Sequence, residues 1–309
     1  MKIIRGFKHN LKSLHSCIAT IGNFDGVHLG HRAIIKKVKA IAAKENLPSL
    51  IITFEPQPEE FFSHDNCPSR LTKFREKLEQ FKTLGIDYVA VLHFDAELAK
   101  LSAEEFLQQI LIKQFSIKHL VMGDDFHFGH DRSGNFAYLK KSGLQASICS
   151  SVILDKKENS RKISSTWVRE VLQKGNLEIA KKLLGRSYSM CGYVVHGDKI
   201  GRIIGFPTAN IYLHRKKSPL LGVYAVQMFG ADTKPVFGIA NIGWRPTVGG
   251  NKLLLEVHLF DFDKDIYGHH VRVEFLKKIR DEKKFNSFDE LKQQIFRDTE
   301  TASSHISHR

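Results

Sequence analysis

The chain has 309 residues, and with ~100 to 200 residues per domain two domains are expected. Hydrophobic residues at 42% and charged residues at 26% give a globular composition with enough apolar material for a core, which excludes disorder as the description of the whole chain. With 47 Lys+Arg against 33 Asp+Glu, the net charge is +14, which favours anionic partners: nucleic acid, anionic lipid or phosphorylated small molecules.

Apolar runs such as Ser49 to Phe54 and Tyr88 to Leu92 stop far short of the ~20 residues of a bilayer span. Met1 to His9 carries charges and no apolar segment of the kind a secretory signal needs, so a cytoplasmic protein is expected. Cys17, Cys67, Cys149 and Cys191 are scattered without CxxC spacing, which argues against a disulfide framework or a structural zinc site and for reduced thiols.

In the first ~185 residues, short buried-strand patterns alternate with helical ones. Strands are expected at Cys17 to Ile21, Leu50 to Phe54, Asp87 to Phe94, His119 to Met122 and Gln145 to Val152. Helices are expected at His31 to Lys44, Thr72 to Lys82 and Ser102 to Gln114, the last opened by a Ser102/Glu105 capping box. Such alternation implies βαβ crossovers and a parallel sheet, which binds ligands at the carboxyl ends of its strands. Two further helices, Ser165 to Gln173 and Leu177 to Leu184, precede a change of pattern at Gly185 to Ser187.

Strand patterns then follow without intervening helix: Cys191 to His196, Ile203 to Tyr212, Gly222 to Phe229, Val236 to Asn241, Leu254 to Phe260 and His270 to Leu276. These read as a sandwich or barrel. A closing helix starts with a Ser287/Glu290 capping box and places Phe288, Leu291 and Ile295 on one face. The polar tail from Thr299 to Arg309 is expected to be disordered. The domains expected are 1–185 and 186–309.

The string Gly22-Asn23-Phe24-Asp25-Gly26-Val27-His28-Leu29-Gly30-His31 joins the first strand to the first helix. Glycines let backbone approach a ligand, and the helix start offers N–H groups and a positive dipole end to a phosphate. His28 and His31, three apart, share a helix face and form a candidate phosphate clamp; the bland alternative is a Gly-rich turn bearing two solvated histidines of the 16 in the chain. Ser164-Ser165-Thr166 with Arg169 one turn on makes a second candidate phosphate-holding helix start, or else a plain Ser/Thr cap.

His196 to Asn210 is a Gly-spaced basic loop leading into a strand, in which Gly197, Gly201, Arg202 and Gly205 could wrap a polyphosphate. It lacks GxxxxGK[ST] and is no P-loop. Thr208 and Asn210, two apart in an extended segment, point to one side and could hold Mg²⁺; blandly, they belong to a hairpin with a bend at Pro207. Asn241 to Thr247 reads as a binding loop or a turn. Leu255 to Phe260 alternates, putting Glu256, His258 and Phe260 on one strand face. A shielded Glu256 could be a general base for an alcohol, or a rim carboxylate paired with Arg272 or Arg280.

The Gly22 to His31 string resembles the HxGH signature of the nucleotidylyltransferase superfamily and is similar to that of the bacterial bifunctional riboflavin kinase/FAD synthetase family. Further blocks resemble the same family in order: Phe54-Glu55-Pro56-Gln57-Pro58; Arg70-Leu71-Thr72 with Arg75-Glu76-Lys77; Gly123 to Gly129; Ile163 to Arg169; His196 to Asn210; Asn241 to Thr247; and Ile279 to Phe285. Many family members have His at the place of Gln57, Asn at that of Asp125 and Arg at that of His127. The resemblance implies a Rossmann-like α/β nucleotidylyltransferase domain and an all-β riboflavin kinase barrel with a C-terminal helix.

The resemblance further implies ATP, riboflavin, FMN and FAD as substrates or products, with Mg²⁺. In the N-terminal domain it implies ATP and phosphate binding by Gly22, Phe24, Asp25, Gly26, His28, Gly30, His31, Ser164, Ser165, Thr166 and Arg169, and FMN binding by Phe54, Arg70 and Asp125. In the C-terminal domain it implies phosphate binding by Gly197, Gly201, Arg202, Gly205, Pro207 and Thr208, flavin binding by Asn241, Arg245, Thr247, Arg280 and Glu282, a metal at Thr208 and Asn210, and Glu256 as base. His28 and His31 would be the catalytic groups of the first site. A nucleic-acid-binding protein is disfavoured, since there is no RNA-recognition aromatic signature and the Lys pairs, such as Lys36-Lys37, Lys156-Lys157 and Lys216-Lys217, are scattered. Another HxGH adenylyltransferase with an unrelated tail is disfavoured by Gly205-Phe206-Pro207-Thr208-Ala209-Asn210. A monomer or weak oligomer without membrane partners is expected.

Overall fold

The structure, a computed structural model, describes residues 1–6, 16–63, 66–154, 161–197, 201, 205–247 and 250–307. By contacts the chain divides into two compact units, Met1–Pro68 with Thr72–Ser164, and Ser69–Leu71 with Ser165–Arg309.

The first unit is built on a six-stranded parallel sheet: β1 (Lys2–Arg5), β2 (Cys17–Ile21), β3 (Ser49–Phe54), β4 (Tyr88–Leu92), β5 (Ile117–Gly123) and β6 (Gln145–Cys149). The order is β1-β4-β3-β2-β5-β6, so the chain winds outward from β2 in both directions. Every residue of β2 and β3 is buried, as a parallel strand covered on both faces requires. Cys17, Ala19 and Ile21 face one layer with Phe106, Leu107 and Ile110, while Ile18 faces Val38 and Ala42 on the other. Burial pushes the Cys17 thiol up to about 12, so it packs as an inert hydrophobe.

The helices of this unit are α1 (Leu29–Glu45), α2 (Pro58–Ser63), α3 (Phe74–Thr83), α4 (Ala96–Lys100), α5 (Ala103–Glu105), which continues as a π-helical run Phe106–Gln114, and α6 (Phe136–Lys141). The Ser102/Glu105 capping box forms in full. Sequence patterning misses β1, a short charged edge strand that gains its structure only by pairing with β4.

In the second unit, α7 (Ser165–Gln173) and α8 (Leu177–Leu184) precede a closed antiparallel barrel. Its strands are β7 (Ser189–Val195), β8 (Ala209–Tyr212), β9 (Gly222–Phe229), β10 (Val236–Thr247), β11 (Gly250–Leu259) and β12 (His270–Arg280), in the order β10-β11-β8-β7-β12-β9. Ile242, Leu255, Ile211 and Val194 follow one another across four strands and are buried, forming a layer of the barrel interior. The alternate residues face outward.

Five expectations are corrected by the structure. Residues Asn241 to Thr247 are neither loop nor turn but the second half of β10, paired residue for residue with β11 from Asn241↔Glu256 to Thr247↔Gly250. β8 begins only at Ala209, because Pro207 has no N–H for a ladder and Gly205 is left-handed at φ +87°. The tail is not disordered through its length: the closing helix α9 runs Phe288–Ser307. Its Thr299 and Thr301 hydroxyls donate back to the Ile295 and Arg297 carbonyls at 2.9 Å, and Ala302 is fully buried, so the polar composition hides a packed face. That face is Leu291, Ile295, Asp298 and Ala302, while Phe288 is 66% exposed. The Ser287/Glu290 box forms in half, since Glu290 accepts from Asn286 N–H instead of Ser287 N–H.

Candidate active sites

The first site lies where β2 ends, at the point from which the sheet winds both ways and where open α/β sheets bind ligands. His28 is the N-cap of α1, and its Nδ1 accepts the His31 N–H at 3.3 Å. The two imidazoles stack, centroids 3.7 Å apart and 18° from parallel, so they do share one face as their spacing predicts. Burial, then the neighbouring His28 and Lys77, holds His31 well below the ordinary imidazole range, so its ring is neutral at neutral pH. His31 Nδ1 is buried and has no hydrogen-bond partner among the described residues. An added Cβ on Gly30 would lie 3.0 Å from His28 Cε1 and 3.4 Å from the Ile163 carbonyl, so the glycine leaves the room that the His28 ring occupies.

The turn before α1 is held in an unusual shape. Phe24, Gly26 and Val27 have φ of 49°, 81° and 42°. Asp25 accepts from the Thr72 N–H at 3.0 Å and from its hydroxyl at 3.3 Å, and that hydroxyl accepts from Gly26 N–H at 3.0 Å. Gly22 N–H donates to Ile52 at 3.1 Å. Phe24 packs edge-on to Phe81 and His31. Asp25 and Phe24 are thus buried supports of the turn, and His28 and His31 are its polar face.

At the carboxyl ends of neighbouring strands, Phe54 is buried against Phe94, and Asp125 is exposed and paired with Lys162 at 3.0 Å. Asp124 also binds Lys162, at 2.6 Å. Ser164 closes the first unit, whereas Ser165, Thr166 and Arg169 belong to α7 in the second. There Arg169 Nε donates to Ser69 at 2.7 Å, Arg215 to the Arg70 carbonyl at 2.6 Å and the Tyr188 hydroxyl to Leu71 at 3.0 Å. Those three donors explain why Ser69–Leu71 packs with the second unit.

The second site lies on the outer wall of the barrel. Asn241, Glu256 and Asn210 are consecutive cross-strand neighbours on β10, β11 and β8. The Asn241 amide donates to Glu256 Oε2 at 3.4 Å, and the Arg245 guanidinium, two turns of the pleat along the same face, binds that same oxygen. Arg245 also reaches Glu282 Oε1 at 3.5 Å. The alternative pairings expected for Glu256 are not made: Arg272 binds Glu274 at 2.6 Å and Arg280 binds Asp298 at 2.8 Å. Arg280 further donates to the Asp281 carbonyl, so its guanidinium anchors β12 to α9.

Glycines crowd this wall. A Cβ on Gly197 would lie 2.2 Å from Asn210 Nδ2, and one on Gly201 would lie 2.4 Å from the Phe206 carbonyl and 3.1 Å from Thr208 Oγ1. Their bare backbones leave Asn210 and Thr208 cradles that side chains would fill. The oxygens of Thr208 and Asn210 are neutral and hard, which suits Mg²⁺ bound mostly by phosphate and water. Among the described residues no group of three or more His, Cys, Asp or Glu could hold a metal by itself. Pro207 is exposed and its carbonyl accepts from His258. Arg202 lies outside the described residues, as does the side chain of Thr247.

Sequence reasoning gave Lys77 and Thr72 no role, although both hold the turn before α1. It also missed Gly243, over which Glu282 lies. Burial of a lysine and a glycine–carboxylate contact between residues far apart in the sequence have no local signature.

The chain combines a parallel sheet bearing a stacked histidine pair at a helix start with an antiparallel barrel bearing Asn210, Glu256 and Asn241 in one row, two candidate sites of the kind that transferases of phosphorylated substrates use. Comparison with known proteins agrees. The family model described as FAD synthetase matches residues 10–167, and that described as riboflavin kinase matches residues 184–306. The chain is 48% identical over 304 residues to the bifunctional riboflavin kinase/FMN adenylyltransferase of Escherichia coli (strain K12), covering 98% of this chain and 97% of that protein. The Haemophilus influenzae protein of the same description is 46% identical over 308 residues, covering 98% and 99%. A solved structure described as a macrolide-efflux protein from Streptococcus pneumoniae shares 34% identity and a TM-score of 0.81, covering 96% of this chain and 97% of that one. Among the described residues no helix is long and apolar enough to cross a membrane. The chain belongs to the bifunctional riboflavin kinase/FMN adenylyltransferase family.

Proposed function

We propose that the barrel transfers the γ-phosphoryl group of ATP to the ribityl 5′-hydroxyl of riboflavin, giving FMN and ADP, and that the parallel-sheet unit transfers AMP from a second ATP to FMN, giving FAD and pyrophosphate. The functional boundary is placed at 185/186. The observation that carries the kinase reading is the row Asn210, Glu256, Asn241 with bare glycine backbone over Asn210.

In the kinase, Glu256 accepts the hydroxyl proton as the oxygen attacks the γ-phosphorus and the bond to ADP breaks. Arg245 and Asn241 hold the carboxylate in place. The backbone at Gly197, Gly201 and Gly205, with Arg202 and Pro207, wraps the phosphates, and Thr208 and Asn210 would hold Mg²⁺, which neutralises phosphate charge when bound. Asn241, Arg245, Thr247, Arg280 and Glu282 line the flavin side, Arg280 by fixing β12 against α9.

In the adenylyltransferase, the FMN phosphate is already an anionic nucleophile and needs no base. Its oxygen attacks the α-phosphorus and the bond to pyrophosphate breaks. His28, His31 and the amino end of α1 stabilise the charge that builds there. Gly22, Gly26 and Gly30 admit the phosphates, Ser164, Ser165, Thr166 and Arg169 supply a second phosphate-holding helix start, and Phe54, Asp125 and Arg70 meet FMN. The +14 charge suits substrates that are anions apart from riboflavin, in a cytoplasmic monomer or weak oligomer that binds neither nucleic acid nor membrane.

The test is incubation of purified protein with riboflavin and Mg-ATP, followed by separation of riboflavin, FMN and FAD. Both products are expected. His28→Ala with His31→Ala should lower FAD formation from supplied FMN by at least ~10²-fold and leave riboflavin phosphorylation intact. FAD synthesis near the wild-type rate would remove the histidine clamp.

A further inference from the structure

The backbone ladder between β11 and β8 runs from Leu254↔Tyr212 to Val257↔Ala209 and stops there. Pro207, two residues before β8 begins, has no N–H with which to extend it. The next contact along the same two segments is made by a side chain: His258 Nδ1 lies 2.9 Å from the Pro207 carbonyl oxygen. A carbonyl oxygen only accepts, so Nδ1 carries the hydrogen and donates it.

The ring is held in place on two sides. Phe206 packs on it edge-on with centroids 5.3 Å apart, and Phe260, two residues further along the chain, lies at 6.0 Å. Phe206 is itself tied back by its N–H, which donates to the Gly201 carbonyl at 2.7 Å. Pro207 is exposed, and an exposed carbonyl finds water without help, so what the imidazole adds is direction. In a trans peptide the C=O and the following N–H point opposite ways, so tying the Pro207 oxygen to β11 turns the Thr208 N–H away from that strand.

We propose that His258 is a positioning residue for riboflavin phosphorylation: it ties the Phe206–Thr208 bend to the strand that carries Glu256, and so holds Thr208 on the phosphate side in register with the base. The proposal rests on the kinase reading of the barrel. Glu256 and His258 are two apart on β11 and share one face of it. The ladder already fixes Asn210 opposite Glu256, whereas Thr208 lies just beyond the last rung. The His258 bond carries the fixed register past Thr208 to Pro207. One strand then gauges both sides of the transfer, the hydroxyl side through Glu256 and the phosphate side through His258, and transfer in line depends on such spacing.

Two variants separate the hydrogen bond from the packing. His258→Phe keeps a ring beside Phe206 and Phe260 and removes the donor, while His258→Asn loses the ring and keeps an N–H at the reach of Nδ1. For His258→Phe, KM for Mg-ATP and the Mg²⁺ concentration giving half-maximal rate should each rise about 3- to 10-fold, the scale of one hydrogen bond, with KM for riboflavin within about twofold of wild type. His258→Asn should recover most of that loss. FMN adenylylation, which also reports folding, should be unchanged in both. A folded His258→Phe protein with wild-type dependence on Mg-ATP and Mg²⁺ overturns the proposal, as does a His258→Asn protein impaired as severely as His258→Phe. Nitrogen-15 NMR of the imidazole reads the bond without turnover: Nδ1 should carry the hydrogen, and a neutral ring protonated only at Nε2 overturns the proposal. If the wild-type protein makes no FMN from riboflavin, the kinase reading fails instead, and the tautomer tells the two failures apart.

Discussion

Glu282 Oε1 occupies the space that a side chain on Gly243 would take, 1.7 Å from where a Cβ would sit. Gly243 lies on β10 between Asn241 and Arg245 on the outward face, so this glycine lets the Glu282 carboxylate reach Arg245 and with it the Glu256 wall. Gly243→Ala must displace Glu282. If Glu282 lines the flavin side as proposed, riboflavin phosphorylation by that variant should lose ~10-fold or more in kcat/KM, chiefly through KM, because that group moves while Glu256 stays. FMN adenylylation should be unaffected. Steady-state kinetics of both half-reactions decide, and wild-type kinase kinetics would separate Glu282 from the flavin site.

The Asp124–Lys162 pair gives a pH-dependent prediction. Lys162, then Ser151, hydrogen-bonds the Asp124 carboxylate and holds it below the usual range; for Lys162, burial pulls downward but the bonds to Asp124 and Asp125 raise it overall. A depressed carboxylate stabilises the fold above its unfolded value of ~3.9 and loses that contribution as pH falls through the folded value. A raised lysine contributes below its unfolded value of ~10.4 and loses it as pH climbs past the folded one. Lys162→Met should therefore lower the melting temperature relative to wild type across the middle of this range, and the gap should close in acid. A gap that is flat down to pH 2 would show that the variant acts through packing.

Much of this architecture is legible in the sequence where the signal is local. The alternation of apolar runs and helical stretches yields the parallel sheet, and the Ser102/Glu105 spacing yields a complete capping box. Where pairing is non-local, reading fails. Gly243 and Pro246 make the end of β10 look like a turn, yet β11 pairs with it to Thr247. Residues Lys2–Arg5 carry no strand pattern because an edge strand takes its order from its neighbour. The same holds at the sites: the His28/His31 spacing gives their common face, but not the rings' stacking or the buried Lys77 that bonds the turn before them. Alternation places Glu256 on a half-covered face but cannot say that Arg245, not Arg272 or Arg280, binds it.

The stability of a separated kinase fragment depends on where the chain is cut. α8 buries Leu183 and Leu184, packs on β12, and leaves Gly175 so close to Lys278 that an added Cβ would lie 2.2 Å from its Cδ. A fragment from Ser165 to the end should thus melt higher than one from Arg186, by an amount reflecting about 2 kcal/mol for each buried leucine lost. Both should convert riboflavin to FMN and neither should make FAD. FAD formation by either would refute the assignment of adenylylation to the parallel-sheet unit.

Glu256→Gln distinguishes a proton acceptor from a rim ion-pair partner, because it keeps size and hydrogen-bonding reach while removing the basic carboxylate. Arg245 and Asn241 both bind Glu256 Oε2, and glutamine can present a carbonyl oxygen to them in its place. If Glu256 takes the ribityl proton, riboflavin turnover should drop by ~10²-fold or more, the usual contribution of general base catalysis. FMN adenylylation should continue, since its nucleophile is already an anion. If Glu256 served only Arg245, the profile would reverse: a loss of about 1 kcal/mol or less in stability for a partly exposed pair, with kinase turnover nearly intact. Measuring both half-reactions and the melting temperature on one preparation tells these apart, and retained kinase turnover in a folded variant would remove Glu256 from the chemistry.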